Sequence, residues 1–184
     1  MKKTSPETTP NAAPPDLCRV KEFIYDPCNF GFNGLKMNPE SAAYGACSFN
    51  LNGFSVQHRV AKITPKKTGQ FTAIWKRNKN GTTEPYHLAD NIDFLVITVR
   101  QGPDLGQFIF PQAVLAAQGI FSTHAQRGKL GFRVYPPWSL ATNNQAAETQ
   151  RWQTAFFLPV RPNPAADLNL ARQLFTKAPN NGAG

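Results

Sequence analysis

Ile92-Asp93-Phe94-Leu95-Val96-Ile97-Thr98-Val99-Arg100 is nearly continuous in apolar residues and reads as a strand covered on both faces. A strand of that kind lies at the centre of a sheet, so its neighbours decide the fold. Downstream, the Gly102-Pro103 turn leads into a short strand at 107–110. Pro111 then opens a helix over 112–118 that Gly119 ends. A further strand at 131–135 is stopped by Pro136-Pro137. The long helix predicted over 144–157 is capped by Asn143 or Asn144, with Trp152 and Phe156 on one face at i,i+4.

Upstream, strands at 46–51 and 54–63 flank Asn52-Gly53, the dipeptide of a type I′ hairpin turn. A basic turn at 64–69 contains Pro65. The third strand, 70–76, is followed by an Asn80-Gly81 turn. Residues 39–45 form a short helix begun by Pro39 and capped by Asn38, and 28–35 reads as a loop. The first helix spans 16–25, with Asp16 as its cap and Asp26-Pro27 as its stop. The expectation is an α+β single domain with a central mixed, mainly antiparallel β-sheet flanked by helices. It spans 16–160, after a disordered extension at 1–15 and before a peripheral helix or flexible tail at 161–184. Pro162 and Pro164 set that last segment apart from the body.

The 184 residues are 41% hydrophobic and include fourteen Phe, three Trp and four Tyr, which excludes a disordered chain. No apolar run approaches the roughly 20 residues needed to span a bilayer. Lys2-Lys3 is not followed by the apolar segment of a signal peptide, so the expected location is cytoplasmic, with no membrane partner. Cys18, Cys28 and Cys47 read as buried small side chains in preference to bridges or reactive thiols.

The net charge of +9 is segregated. No acid lies between Glu40 and Glu84, where Arg59, Lys62, Lys66, Lys67, Lys76, Arg77 and Lys79 fall. None lies from Leu105 to Ala147 either, a stretch that holds Arg127, Lys129 and Arg133. Folded onto one side, these stretches make a positive patch that attracts phosphates; otherwise they are a solvated basic surface. Along Phe71-Thr72-Ala73-Ile74-Trp75-Lys76-Arg77 the alternation puts Phe71, Ala73, Trp75 and Arg77 on one face, without saying which face is wet. A core role is the favoured reading of Trp75, over a stacking platform. Arg133, Tyr135 and Trp138 form a second aromatic and basic cluster, stiffened by Pro136-Pro137.

Signals for catalysis are thinner. His58, His87 and His124 lack the spacing of zinc ligands, nothing resembles a phosphate-binding glycine loop, and no metal or cofactor is expected. A metal-dependent nuclease would need clustered acids and a nearby lysine. Glu40, Glu84 and Asp93 are the available acids and Lys62 or Lys76 the lysines, with Val60 and Ile74 where an acid two residues earlier belongs. Glu40, Asp93 and Lys62 are therefore the catalytic candidates of an incomplete set.

Four stretches carry a resemblance: Arg59-Val-Ala-Lys-Ile-Thr-Pro-Lys-Lys-Thr-Gly-Gln-Phe-Thr-Ala-Ile-Trp-Lys-Arg-Asn, Gly106-Gln-Phe-Ile-Phe-Pro, Lys129-Leu-Gly-Phe-Arg-Val-Tyr-Pro-Pro-Trp and Thr149-Gln-Arg-Trp-Gln. With Glu40-Ser and Tyr44-Gly-Ala-Cys-Ser-Phe they resemble the MepB family, in order, from about residue 16 to about 158. Leu130 departs from a position where the family often has a basic residue. The resemblance implies a small bacterial cytoplasmic protein that binds nucleic acid, with a core near nuclease-like folds and no established reaction. The residues that both the resemblance and the chemistry single out are Arg59, Lys62, Lys66, Gln70, Trp75, Lys76, Arg77, Arg133, Tyr135 and Trp138. Lys67 joins them in the basic turn. The expected partner is DNA or RNA. The alternatives are an enzyme on a phosphorylated substrate and a protein-interaction module.

Overall fold

The computed structural model describes residues 13–162 and 165–176. Most of the extension expected at 1–15, Pro164, and the end of the chain from 177 onward lie outside the described residues.

The chain opens with helix α1 (Pro15–Val20), continued by a π-helical turn (Lys21–Tyr25), then strand β1 (Phe32–Met37) and a 3-10 turn (Pro39–Tyr44). Strands β2 (Cys47–Leu51), β3 (Phe54–Val60), β4 (Lys62–Thr64), β5 (Lys67–Ala73), β6 (Trp75–Arg77), β7 (Thr83–Pro85), β8 (Phe94–Gln101) and β9 (Asp104–Pro111) follow. The remainder is helix α2 (Gln112–Ala117), strand β10 (Gly131–Val134), helix α3 (Asn144–Thr154), strand β11 (Phe157–Pro159) and helix α4 (Ala165–Thr176).

The predicted central strand is β8. It lies inside a six-stranded sheet of order β1-β2-β3-β8-β9-β11, parallel to β3 and antiparallel to β9. Its side chains alternate between two cores, as period-2 geometry requires. Phe94 and Val96 join Leu17, Val20, Ile24 and Tyr25 of the first helical segment and Ala171, Leu174 and Phe175 of α4. Leu95, Ile97 and Val99 join Ile74, Leu115, Phe121, Phe132 and Val134 on the opposite face. Each such buried side chain contributes about 1.5–3 kcal/mol. The second core is roofed by a three-stranded sheet of order β10-β5-β4 and by α2 and α3, so the fold is α+β and mainly antiparallel, as expected.

Several expectations need correction. The strand predicted over 54–63 is two: the Ala61 N–H still bonds the Thr98 carbonyl at 2.9 Å, and Lys62–Thr64 then crosses to the second sheet. Likewise 70–76 breaks at Ile74, whose N–H turns to the Leu130 carbonyl at 2.8 Å. The loop expected at 28–35 contains most of β1, where Gly34 at φ +67° serves a register irregularity against β2. Asn143 caps α3 by accepting from the Ala146 N–H, but the helix stops at Thr154 and Phe156 lies beyond it. Trp152 and Phe156 still meet, through Phe110, at ring distances of 5.3 and 6.1 Å. Asp16 caps nothing; its carboxylate pairs with Arg100 of β8, accepting from Nε at 2.9 Å. Asn38 does cap the 3-10 turn, accepting from the Glu40 N–H at 3.1 Å.

Candidate nucleic-acid interface

The alternation along β5 is resolved by its partners. Gln70, Thr72 and Ile74 are buried beneath the second sheet, whereas Phe71, Ala73, Trp75 and Arg77 look outward. Trp75 is therefore on the half-exposed outer row and outside both cores, contrary to the favoured core reading. Strand register builds a row across that outer face: Lys62 of β4 stands beside Phe71 of β5, and Phe71 beside Arg133 of β10. Cross-strand neighbours of this kind lie about 5 Å apart at Cβ, so one aromatic ring sits between two cations.

Two glycines set the rings. A Cβ on Gly131 would stand 2.6 Å from the Phe71 ring, and one on Gly69 would stand 2.8 Å from the Tyr135 ring. Each ring therefore occupies the space that a side chain on the neighbouring strand would take, lying against backbone. Gly69 also has φ +72°, a left-handed conformation that favours glycine. Tyr44, from the 3-10 turn, meets Phe71 edge-on at 6.3 Å, and the Lys62 ammonium lies 4.8 Å from the Tyr44 ring centre. Arg133 is fastened along the sheet, donating from Nη2 to Thr64 Oγ1 and from Nη1 to the Thr68 carbonyl at 3.2 Å. Lys66 and Lys67 are exposed at the turn joining β4 to β5. None of Lys62, Lys66 and Lys67 pairs with a carboxylate among the described residues.

The other cations singled out from sequence are occupied. Arg77 Nε donates to both carboxylate oxygens of Glu40 at 2.8 Å, while its guanidinium lies 5.3 Å from the Trp75 ring. Lys76 sits between Asp90 at 2.6 Å and Glu84 at 3.4 Å. Partial burial works against the Lys76 charge, but those two carboxylates outweigh it and hold its pKa above the ordinary lysine range. Arg59 is wholly buried. It donates to the His58 carbonyl at 2.7 Å and to Tyr86 Oη at 3.0 Å, and its Nε has no partner. Gln70 is also buried and donates to the Arg100 carbonyl at 3.1 Å. Trp138 is half-buried and packs edge-on against Phe157 at 5.5 Å. The structure thus brings Lys62, Lys66, Lys67, Arg133 and Tyr135 together on one face, with Trp75 in the adjoining row. It adds Phe71 and Tyr44, which sequence reasoning missed. Phe71 was legible in principle, because it alternates with Trp75.

The catalytic candidates do not meet. Glu40 is tied to Arg77, Asp93 accepts from the Ser55 N–H at 2.8 Å, and Lys62 pairs with neither. Among the described residues no three His, Cys, Asp or Glu side chains stand together as a metal site. His87 and His124 do approach, with ring centres 5.3 Å apart, while His58 is buried elsewhere. Of the cysteines, Cys28 and Cys47 are buried as expected, but Cys18 is exposed at the end of the first helical turn; all three are free.

A family model described as MepB-like matches residues 38–159. A crystal structure of MepB is similar at 35% identity and a TM-score of 0.68, covering 71% of this chain and 87% of that one. A bacterial homing endonuclease structure matches at 12% identity and a TM-score of 0.44, covering 77% and 87% respectively, a likeness too slight to carry an argument. No curated protein matches. No helix among the described residues is long and apolar enough to cross a membrane.

Proposed function

The chain belongs to the MepB-like family, and from the outer face of its second sheet we propose that it binds nucleic acid, with phosphates held by Lys62, Lys66 and Lys67 and bases stacked on Phe71 and Tyr135. The observation that carries this reading is the Lys62–Phe71–Arg133 row, with its rings laid over Gly131 and Gly69. Aromatic faces beside unpaired amines are what a strand of nucleotides requires: the amines track the backbone and the rings accept bases of any sequence. Stacking needs unpaired bases, so single strands are preferred to duplex. Arg59, Lys76, Arg77 and Gln70 take supporting roles, because each is already committed to a protein partner. The free cysteines, one of them exposed, fit a reducing compartment such as the cytoplasm.

The test is binding of a labelled 20-nucleotide single strand and its duplex, measured by fluorescence anisotropy. Replacing Lys62, Lys66 and Lys67 together by Gln should weaken the single strand by about tenfold or more. Tyr135→Ala should cost about 1–3 kcal/mol per stacked base. Equal affinity of the triple variant and the parent protein would remove the proposal. So would tighter binding of duplex than of single strand.

A further inference from the structure

A cavity of about 300 Å³ opens beside this face, between β10 and α3. Its walls include Lys129, Arg133, Gln118, Gln145, Thr149 and Trp152, and no acid lines it. One wall is a strand edge. β10 ends its sheet, with β5 on one side only. Gln153 of α3 reaches that edge, donating to the Arg133 carbonyl at 2.9 Å and accepting from the Tyr135 N–H at 2.8 Å. Those two contacts fix the direction of the backbone. In an antiparallel pair alternate residues turn both polar groups to the same side, so the Arg133 N–H and the Gly131 carbonyl also point away from β5 toward α3. The cavity therefore combines the Lys129 ammonium, primary amides, a hydroxyl, an indole ring and the backbone of a strand edge, without a negative charge to oppose an anion. The Arg133 guanidinium itself points the other way, to Thr64 and Thr68.

We propose that this cavity binds a nucleoside monophosphate, free or as one unit of a strand, with its phosphate on Lys129. The volume is at the lower end of small-molecule sites, which suits a single nucleotide. The amides of Gln118 and Gln145 and the edge of β10 supply both donors and acceptors for a base edge, and Trp152 supplies an aromatic wall. The inference rests on the nucleic-acid reading for its ligand class, since Arg133 and Tyr135 border both the outer face and the cavity.

The experiment is calorimetric titration of the full chain with the four nucleoside monophosphates, the matching nucleosides, and a single-stranded oligonucleotide. At least one monophosphate should bind about tenfold or more tightly than its nucleoside, the loss expected when a charge-assisted phosphate contact is removed. Lys129→Gln, at an exposed position, should weaken that monophosphate to nearly the affinity of its nucleoside. Thr149→Leu should block it by filling the cavity, with an unchanged melting temperature as the check on folding. If Thr149→Leu also weakens the oligonucleotide, the ligand is a unit of a strand; if it spares the oligonucleotide, the ligand is the free nucleotide. Absence of monophosphate binding, equal binding of nucleoside, or full binding by Lys129→Gln would overturn the site. Monophosphate binding by a protein that ignores oligonucleotides would leave the cavity standing and remove the outer-face reading instead.

Discussion

His58 should make this protein acid-labile. The ring is wholly buried on β3, and burial pushes its pKa down to about 4 from an ordinary 6.5. The hydrogen bonds show which neutral form is present. Nδ1 lies 3.2 Å from the Gly45 carbonyl, which can only accept, so Nδ1 carries the hydrogen. Nε2 then accepts from Thr98 Oγ1 at 2.8 Å, and Thr98 Oγ1 accepts from Gln107, whose Oε1 takes the Tyr25 hydroxyl at 2.7 Å. Protonating Nε2 would leave the Thr98 hydroxyl hydrogen without its acceptor inside the six-stranded sheet. Because the folded pKa lies below the unfolded one, the unfolded chain binds more protons at mildly acid pH. Stability is therefore full above about pH 6.5 and falls as pH drops toward 4. A fall from 6.5 to about 4 corresponds to a loss of about 2 kcal/mol at pH 5 and about 3 kcal/mol at pH 4. Urea unfolding at pH 7.5, 5 and 4 measures it, with His58→Gln as the reference that removes only this titration. The parent should lose about 2–3 kcal/mol more than the variant over that span. Parallel pH profiles, or a His58 titration near 6.5 by NMR, would refute the reasoning.

Three further outcomes are expected. Gln153→Ala should destabilise by about 2–4 kcal/mol, because it strips the Arg133 carbonyl and Tyr135 N–H of partners; thermal or urea unfolding reads it. Arg59→Met should leave stability within about 1 kcal/mol of the parent or raise it, since the buried guanidinium has no carboxylate and an unpaired Nε. A drop of more than about 3 kcal/mol on urea unfolding would show that the charge is compensated after all. Gly69→Ala should cost at least about 1–2 kcal/mol for its left-handed backbone. It should also weaken single-strand binding by displacing the Tyr135 ring, and unchanged anisotropy would separate that ring from the interface.

The parts of the fold that were legible were those where local chemistry permits one answer. β8 is apolar at successive positions because both its faces are covered, and Asn52-Gly53 takes positive φ at both residues, as a type I′ turn needs. The crossings at Ala61 and Ile74 were not legible, because a strand that changes sheets keeps the same composition on either side of the break. Charge misled for a related reason. Arg59 reads as surface by residue type, yet it sits under the second sheet, and only the cores on either side of β3 reveal that. Arg77 and Lys76 stand in an acid-free stretch of sequence, but Glu40 and Asp90 reach them from outside it or across a turn. Lys62, Lys66 and Lys67 are exposed because the Pro65 turn places them at a rim that no other element among the described residues covers.

The most direct test of the outer face is the salt dependence of its affinity for a fluorescent single strand, measured by anisotropy from about 50 to 200 mM salt. Three phosphate contacts, one for each lysine, predict a slope of log affinity against log salt of about −2, reduced to nearly zero in the Lys62, Lys66 and Lys67 triple Gln variant. A flat profile, or the same slope in the variant, would contradict the account.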